Sequence, residues 1–463
     1  MVDVWRVWSK PRIAAEWGEE YEGRAEEWWE TFLDLVFVSA FTNGAAGFKK
    51  SLQKNSSYDL AQSVVDFGTQ FTLFYTAWLQ YTLFTARFID TSLVHSVLMF
   101  THLIGTSGMV VNTGSSDLRW GFAIGSIIQR TSLVCMLVIV YWLVPRARRQ
   151  AQVDIVQTLP SVILLVCGIA VGASDGLLQG LLAGTAGYEL LFPYIQTWAH
   201  FLADKGLPVN IDHLQNRLAS LIMLVLGESV LSAVTSHHNV EDKSTLYYAA
   251  MTLSIAVNFG NALVYFAIVP PRKFNALRRS PFAGVGYMTT HWALGLAFLT
   301  LSVAVKLSTD VITDGEQTTL SSGYFLLFMS SLGACMAGTF VLRLLHWWRR
   351  QPAPGDSAEV RRVKYIWWAG HAAAAVLPPV VAGLTLCVQP AGINPFVALW
   401  EALACTLGYA VFESSLMHYL EHLGHHSTLQ NMPSSEEPLL SAPLPAGVSP
   451  SRYDSSHEAQ TAG

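Results

Sequence analysis

Charged residues are scarce in this chain of 463 residues. Asp, Glu, Lys and Arg make up 13% of the sequence, whereas 52% is hydrophobic and the mean hydropathy is +0.36. A soluble domain normally carries about 25% charged residues, so too few charges are present to cover a soluble surface of this size. The net charge is -5, and the sequence has no concentration of basic residues of the kind that nucleic-acid binding requires. The composition therefore excludes nucleic-acid binding and favours a membrane-embedded fold.

Cysteine is rare, and its spacing excludes two further classes of protein. The five cysteines show no CxxC spacing and each lies in an apolar segment, so we expect buried thiols and neither a disulfide framework nor a zinc site. They are Cys135, Cys167, Cys335, Cys387 and Cys405. The first 28 residues alternate charge with tryptophan and lack the apolar core of a signal peptide. We therefore expect insertion through a retained helix.

Long apolar runs, in contrast, are abundant. A bilayer of about 30 Å is spanned by about 20 apolar residues, and the sequence contains twelve segments near that length. Prolines divide the run at 365–400 into two spans at 389–394, the second ending near Ser414. The other ten lie at 31–48, 67–86, 91–116, 120–144, 155–174, 176–198, 214–235, 244–271, 280–305 and 318–342. The sequence thus predicts an all-α polytopic bundle of about twelve spans with the lipid bilayer as its partner.

Basic residues in the loops predict the orientation of the bundle. Lys and Arg concentrate in alternate loops, most strongly at 146–149, 272–279 and 343–364, which favours cytoplasmic N- and C-termini. We expect a cytoplasmic amphipathic segment at 1–28, a transmembrane domain at 29–427 and a disordered tail at 428–463, rich in Ser, Pro, Glu and Gly. No internal repeat is visible by eye, although an inverted repeat of two six-helix halves stays open.

Ionisable residues inside the predicted spans are the candidates for function, because a charge at membrane depth persists only when it is paired, hydrated or used. Glu30 and Asp34 are four residues apart in the first span, so they share one helix face. A structural salt bridge and a functional role both remain open for this pair.

The seventh predicted span carries three such residues on one face: His213, Arg217 and Glu228. Arg217 and Glu228 are separated by about 16 Å of helical rise and cannot touch, so each needs partners from another helix or a wet cavity. Gly227 allows a helix or a substrate to approach the backbone beside Glu228 closely. Glu228 is therefore the main functional candidate.

Few partners are available for these residues within the spans. Arg130 lies in mid-span, and we expect it to pair with Asp34, Glu189 or Glu228. His102 and His291 fit satisfied core histidines, while Asn258 and Asn261 fit interhelical hydrogen bonding. Arg87 and Asp90 close the second span.

Histidines near the end of the last predicted helix suggest a different chemistry. His418 and His422 are four residues apart, and His422, His425 and His426 form an HxxHH box that resembles those of membrane di-iron desaturases and hydroxylases. Those enzymes need several such boxes, and the sequence contains no second one. A solvated helix end or an adventitious metal site is the alternative, and no cofactor is expected.

Two segments resemble a known family of membrane proteins. WWETFLDLVFVSAFT in the first span and HLQNRLASLIMLVLGESV in the seventh are similar to the signature segments of the low-temperature-requirement A family. The similarity is clearest over 26–306 and weaker beyond. It implies a multi-pass helical fold in which Glu30, Asp34, Arg217 and Glu228 are signature positions. Gln215 and Asn216 stand where the family has an acidic residue before Arg217. The family name records a cold-growth phenotype, and no activity transfers with the resemblance.

Three functional hypotheses follow from these residues. The first is a transporter or ion-pathway protein for protons, ions or a small solute, using a site built from Asp34, Arg130 and Glu228 with Glu189 and His291. The second is a structural or lipid-binding membrane protein without transport, in which the charges lock helices together. The third is a metal-dependent lipid-modifying enzyme that uses the C-terminal histidines. A homo-oligomer is compatible with each of them, and the sequence does not specify which membrane holds the protein.

Overall fold

Helices make up almost all of the described chain. The computed structural model describes residues 7–14, 26–54, 57–114, 119–203, 207–235, 245–268, 275–313, 319–347, 352, 355–390 and 392–422. Most of the predicted N-terminal segment at 1–28, the tail at 428–463, and both His425 and His426 lie outside these ranges. Within them are thirteen α-helices and one pair of two-residue strands. The predicted all-α class is confirmed.

The helices follow one another with short connections. The first six are α1 Trp28–Lys54, α2 Ser57–Arg87, α3 Leu93–Val111, α4 Arg119–Leu143, α5 Arg148–Ala170 and α6 Asp175–Ala203. The others are α7 Ile211–Thr235, α8 Thr245–Phe266, the short α9 Ala276–Arg279, α10 Pro281–Thr313, α11 Ser322–Trp347, α12 Ala358–Val388 and α13 Pro395–His422. The strands β1 Arg12–Ile13 and β2 Phe88–Ile89 pair antiparallel and tie the N-terminal chain to the end of α2.

Ten of the long helices have the length and hydropathy needed to cross a bilayer. The protein is therefore a multi-pass membrane protein. Helices α2 and α6 are longer than most but fall outside this group of ten, so twelve crossings stay a prediction. Helix α2 is less apolar because its inward face is polar and carries five buried threonine and glutamine side chains. These are Thr72, Thr76, Gln80, Thr82 and Thr85.

Two six-helix halves repeat the same packing. In the first half α1 contacts α2 and α3, α4 lies between α3 and α5, and α6 contacts α2, α4 and α5. In the second half α7 contacts α8 and α10, α11 lies between α10 and α12, and α13 contacts α8, α11 and α12. The contacts between α1 and α7 follow the same residue order in both helices, so the first helices of the two halves point the same way. The repeat is parallel, whereas the sequence left an inverted repeat open.

The halves meet where α7 and α10 contact α1, α2 and α6. Residues 30, 34 and 42 of α1 contact residues 213, 217 and 228 of α7 in that order, so the two helices run parallel.

Glycine permits the closest helix approach in the bundle, between α3 and α4. A Cβ atom built on Gly105 would lie 2.4 Å from the backbone nitrogen of Gln129, and one on Gly125 would lie 2.5 Å from that of Met109. Real Cβ atoms do not tolerate such distances, so only glycine fits at either position. This small-residue contact is the usual way in which membrane helices pack tightly.

The cysteines only partly match the expectation of buried thiols. Cys335 and Cys405 are buried, whereas Cys135, Cys167 and Cys387 lie on exposed helix surfaces. An apolar segment in a membrane protein has a face toward lipid as well as a face toward protein, and three of the five thiols occupy the former. All five are free.

Candidate functional site

Helices α1 and α7 are joined by a ladder of polar contacts, which we call the α1–α7 ladder and which comprises Glu30–His213, Asp34–Arg217 and Thr42–Glu228. In its first rung, His213 Nε2 lies 3.0 Å from Glu30 Oε1, and both side chains are completely buried. Glu30 Oε2 also accepts a hydrogen bond from the Glu27 backbone nitrogen at 2.9 Å, which caps the start of α1. The four-residue spacing on both helices aligns this rung with the next.

The second rung is a bidentate ion pair. Arg217 Nη1 and Nη2 donate to the two Asp34 carboxylate oxygens at 2.6 and 2.8 Å. Trp78 of α2 donates from Nε1 to Asp34 Oδ1 at 3.0 Å, and its ring lies beneath the Arg217 guanidinium, 5.3 Å from the centroid. Arg217 is 0% exposed and Asp34 is 5% exposed. Three helices thus enclose a buried pair that joins the first half to the second.

Arg217→Lys tests the value of the bidentate geometry. Lysine retains the positive charge but replaces the planar fork with a single ammonium group, which cannot hold both oxygens in the same way. We expect the free energy of unfolding to fall by about 1.5–3 kcal/mol, the range for losing a hydrogen bond to a charged group. Unfolding in mixed detergent micelles measures this loss. An Arg361→Lys variant, changed on an exposed surface, should unfold like the wild type, and equal losses in both would contradict the assignment.

A second buried ion pair lies within the first half. Arg130 of α4 donates from Nε and Nη2 to the Glu189 carboxylate of α6 at 2.6 and 2.7 Å. Thr76 Oγ1 of α2 donates to the same carboxylate at 2.6 Å. Glu189 is one of the three partners expected for Arg130 from the sequence. The pair joins α2, α4 and α6 at the centre of the half.

Every N–H of Arg130 has an acceptor. Nη1 donates to Ser126 Oγ at 2.7 Å and to Gln129 Oε1 at 3.1 Å, while Nη2 also approaches the Leu73 carbonyl oxygen at 3.3 Å. Gln129 Nε2 in turn donates to His102 Nε2 at 3.0 Å, so His102 Nδ1 carries the proton and donates to Ser132 Oγ at 3.2 Å. His102 is thus a satisfied core histidine. A network this complete functions as a structural lock.

Glu228, the third acid, has a different environment. It is 2% exposed, and its carboxylate is contacted by the hydroxyls of Thr42 on α1 and Ser232 on its own helix, the latter at 2.7 Å. Within the described residues, no Lys, Arg or His nitrogen lies within the 4.0 Å of an ion pair with it. Glu228 is therefore a buried acid whose hydrogen-bond partners in the described chain are hydroxyl groups.

The surface of α7 is open beside Glu228. A Cβ atom built on Gly227 meets no described atom within 4 Å, and Thr42 is only partly buried. The close helix approach that Gly227 permits is therefore not used by the described part of the chain. Ser229 Oγ is buried beside it without a hydrogen-bond partner in that part. The carboxyl group lies just inside the protein surface.

His291 and Asn258 lie apart from these acids. His291 Nδ1 donates to the Tyr287 carbonyl at 2.8 Å, so Nε2 accepts from Tyr265 Oη at 2.9 Å. The ring is satisfied within α8 and α10. Asn258 and Asn261 donate to carbonyls of their own helix, Ser254 and Val257, so the interhelical bonding expected of them is not observed.

Arg87 and Asp90 do not pair with each other. Arg87 Nη1 donates to both oxygens of Asp154 on α5 at 3.2 and 3.0 Å. Asp90 accepts from the Ser92 backbone nitrogen at 2.9 Å and helps to start α3. Both residues organise the end of α2 at the edge of the bundle.

The sequence reasoning missed an ion pair in the second half. Arg343 of α11 donates to both carboxylate oxygens of Glu413 on α13, from Nε at 2.9 Å and from Nη2. We had assigned Arg343 to a basic loop, yet it is completely buried and also approaches the Val264 carbonyl oxygen at 3.3 Å. Glu413, an acid inside the last predicted span, was the overlooked signal. In chain order the pair joins the fourth and sixth long helices of its half, as Arg130 and Glu189 do.

The C-terminal histidines are only partly described. The rings of His418 and His422 lie 5.4 Å apart on successive turns of α13. Among the residues that the structure covers, no group of three or more His, Cys, Asp or Glu side chains could hold a metal ion. The metal site stays a prediction, since its other two ligands lie outside.

The polar residues form separate clusters and not one site. The α1–α7 ladder joins the halves, Arg130 and Glu189 lock the first half, and His291 is satisfied elsewhere. Charges at membrane depth face inward, as expected, but each arginine has its own carboxylate. Of the three acids considered as partners of Arg130, namely Asp34, Glu189 and Glu228, only Glu228 has no arginine partner in the described chain.

One comparison with known protein families gives a match that covers most of the chain. The family model described as bacterial low temperature requirement A protein (LtrA) matches residues 26–414. The matched range includes the whole α1–α7 ladder and both arginine–glutamate pairs. A search of curated proteins found no match.

Proposed function

This chain belongs to the bacterial low temperature requirement A family, and we propose that it is a membrane transporter whose proton-carrying group is Glu228. The observation that carries the proposal is the environment of this carboxyl group. It is buried, it is contacted by hydroxyl groups, and no described basic side chain neutralises it. A buried carboxylate without a counter-charge is costly, and binding a proton removes that cost.

The Thr42 hydroxyl can form a hydrogen bond with Glu228 whether the Glu228 carboxyl group is ionised or protonated. Its Oγ1 lies 3.0 Å from the Val38 carbonyl oxygen, an obligate acceptor, and also contacts Glu228 Oε2. The hydroxyl has one hydrogen. When that hydrogen points to Glu228, the carboxylate is stabilised as an anion, and when it points to Val38, the contact requires a proton on Glu228. The site can therefore gain or lose a proton with a hydroxyl rotation in place of a backbone movement.

The position of Glu228 supports exchange with the exterior of the bundle. The open surface at Gly227 and the partly exposed Thr42 lie next to the carboxyl group. The contact also lies in the α1–α7 ladder, where the two halves of the repeat meet. In transporters built from repeats, substrate and coupling ions bind at the interface between the repeats. A proton bound there would couple to relative movement of the halves.

A structural protein without transport is the second candidate. The observation that favours it is Arg130, whose five N–H groups are all paired in a dry network with Glu189. Such pairs stabilise one arrangement of helices and do not exchange ligands. Glu228 separates the candidates, because a structural protein predicts no proton flux that depends on this carboxyl group.

Proton flux into proteoliposomes tests the proposal. Purified protein is reconstituted with an internal pH indicator, and flux is started by an imposed potassium diffusion potential or pH gradient. We expect the wild type to move protons and Glu228→Gln to reduce the flux by at least about tenfold, because the amide cannot carry a proton between states. Thr42→Val, which removes the hydroxyl at nearly constant size, should reduce it less.

Glu401→Gln is the matched control. Glu401 of α13 also accepts a hydrogen bond from a threonine hydroxyl, that of Thr385 at 2.8 Å, but it lies away from the α1–α7 ladder. It should retain wild-type flux, and all variants should unfold at similar temperatures. Flux of the wild type no greater than that of empty vesicles, or full flux in Glu228→Gln, would reject the proposal in favour of the structural candidate.

A further inference from the structure

The polar cluster of the second half contrasts with that of the first, because much of it is unpaired. We call it the Arg343 cluster; it comprises Arg343, Trp367, His371, Tyr409 and Glu413, from α11, α12 and α13. The Arg343 guanidinium lies 5.5 Å from the Tyr409 ring centroid, and the rings of Trp367 and His371 lie 4.3 Å apart. His371 Nε2 is 3.8 Å from Glu413 Oε1, beyond hydrogen-bond distance.

Several buried hydrogen-bonding atoms of the cluster have no partner within the described chain. They are Arg343 Nη1, Trp367 Nε1, Tyr409 Oη and both ring nitrogens of His371. Arg343 and His371 are 0% exposed and Trp367 is 4% exposed. Each unpaired donor or acceptor costs about 1–3 kcal/mol when it is buried, so these atoms together need an explanation. Arg130 shows that this fold can satisfy an arginine fully.

The hydrogen-bonding chemistry of the unpaired atoms indicates which kind of ligand would pair with them. Arginine Nη1 and tryptophan Nε1 are donors only, and histidine always presents at least one donor. The missing group is therefore rich in acceptors. The free Nη1 of a guanidinium group together with two aromatic N–H groups matches the oxygens of a phosphate, an anion to which arginine donates strong charge-assisted hydrogen bonds.

The position in the membrane points to the same ligand. Arg343 lies close to the end of α11, Trp367 and His371 are in the first half of α12, and the Val264 carbonyl lies near the end of α8. All of these helix ends lie on the side of the predicted basic loops. Exposed arginines at that side would attract anions to the rim of the bundle. They are Arg278, Arg279, Arg361 and Arg362.

We propose that the Arg343 cluster binds a phosphate oxyanion, carried by an anionic phospholipid headgroup or by free phosphate. The phosphate oxygens accept from Arg343 Nη1, Trp367 Nε1 and His371, while Glu413 keeps its bonds to Nε and Nη2. The exposed arginines at the rim balance the added negative charge. This site is independent of Glu228, which lies on α7 where the two halves meet.

Entry of the ligand requires the first half of α12 to move, because the unpaired atoms are shielded from solvent. Pro378 and Pro379 interrupt the hydrogen-bond ladder of α12 at mid-length. A Cβ atom on Gly333 of α11 would lie 2.9 Å from Pro379, so the two helices are in close contact at that point. Trp367 and His371 lie in the segment of α12 that precedes this contact. Ligand entry would require that segment to move about the contact as a hinge.

A titration with phosphatidylglycerol tests the site. Purified full-length protein in mixed micelles with phosphatidylcholine receives increasing phosphatidylglycerol or inorganic phosphate, and the unfolding temperature is followed. We expect saturable stabilisation by phosphatidylglycerol, with the half-saturating concentration raised about tenfold in Trp367→Phe, which keeps the ring and loses the donor. Trp368→Phe, altered at the adjacent half-buried tryptophan, should change it less than about twofold.

Each outcome decides the proposal or identifies the source of the phosphate. Stabilisation by inorganic phosphate with the same dependence on Trp367 identifies free phosphate as the ligand. Stabilisation by phosphatidylglycerol alone identifies a lipid headgroup. An equal response of the two tryptophan variants, or no response to either phosphate source, overturns the site and leaves the role of Glu228 unaffected.

Discussion

Replacement of Arg130 with methionine should lower the free energy of unfolding by about 3–5 kcal/mol, the usual cost of leaving one partner of a buried ion pair alone. Glu189 would then be a carboxylate at 1% exposure with Thr76 as its remaining partner. The Gln129 side chain would also lose the Nη1 donor that holds it against His102. Unfolding in mixed detergent micelles, monitored by circular dichroism, measures the loss.

The double variant Arg130→Met with Glu189→Met is the control for this prediction. It removes both charges and fills the space with apolar atoms, and such replacements are often neutral or stabilising. We expect it to recover most of the stability lost in the single variant. A double variant as unstable as the single one would show that the hydrogen bonds to Ser126, Gln129 and Leu73 matter more than the charge pairing.

Gly105→Ala should have the second largest effect. The added methyl group would lie 2.4 Å from the backbone nitrogen of Gln129 and 2.7 Å from its Cα, so α3 and α4 must separate. Overpacking against backbone costs about 1–3 kcal/mol or more. Separation would also displace Gln129 and Arg130. We expect a lower unfolding temperature and reduced yield of folded protein.

Gly180→Ala is the control for this prediction. It makes the same chemical change at a position where we expect no loss of stability. A Cβ atom on Gly180 of α6 meets no described atom within 4 Å, and alanine is favoured over glycine in helices by about 1 kcal/mol. This variant should be as stable as the wild type or slightly more stable. Equal destabilisation at both positions would contradict the close approach of α3 to α4.

The sequence predicted the helices well because apolar runs and prolines report directly on membrane spans. The division of 365–400 at 389–394 coincides with the gap between α12 and α13. The inward charges were also predictable, since a charged group at membrane depth has to find a partner. The pairing of Arg130 was narrowed to three acids, of which Glu189 is the one used.

Other features depend on distances that one sequence does not contain. Arg343 follows an apolar run and precedes a basic loop, so its position along the helix could not indicate whether it turns inward. The structure shows that it does, because Arg343 pairs with Glu413 of α13 and approaches the Val264 carbonyl oxygen of α8. Likewise, the pattern around Asn258 is compatible with bonding to a neighbouring helix or to its own. The need for glycine at positions 105 and 125 can be seen only when the packing of α3 against α4 is known.

The parallel arrangement of α1 and α7 has a consequence for biogenesis. Asp34 and Arg217 are 183 residues apart in the chain, and synthesis proceeds at about 5–20 residues per second, so the acids of α1 wait roughly 10 to 40 s for their partners. During that interval the ribosome delivers five further helices. The first span must be sheltered by the insertion machinery or remain near the headgroups. The packing of α1 against α7 is therefore completed late in translation.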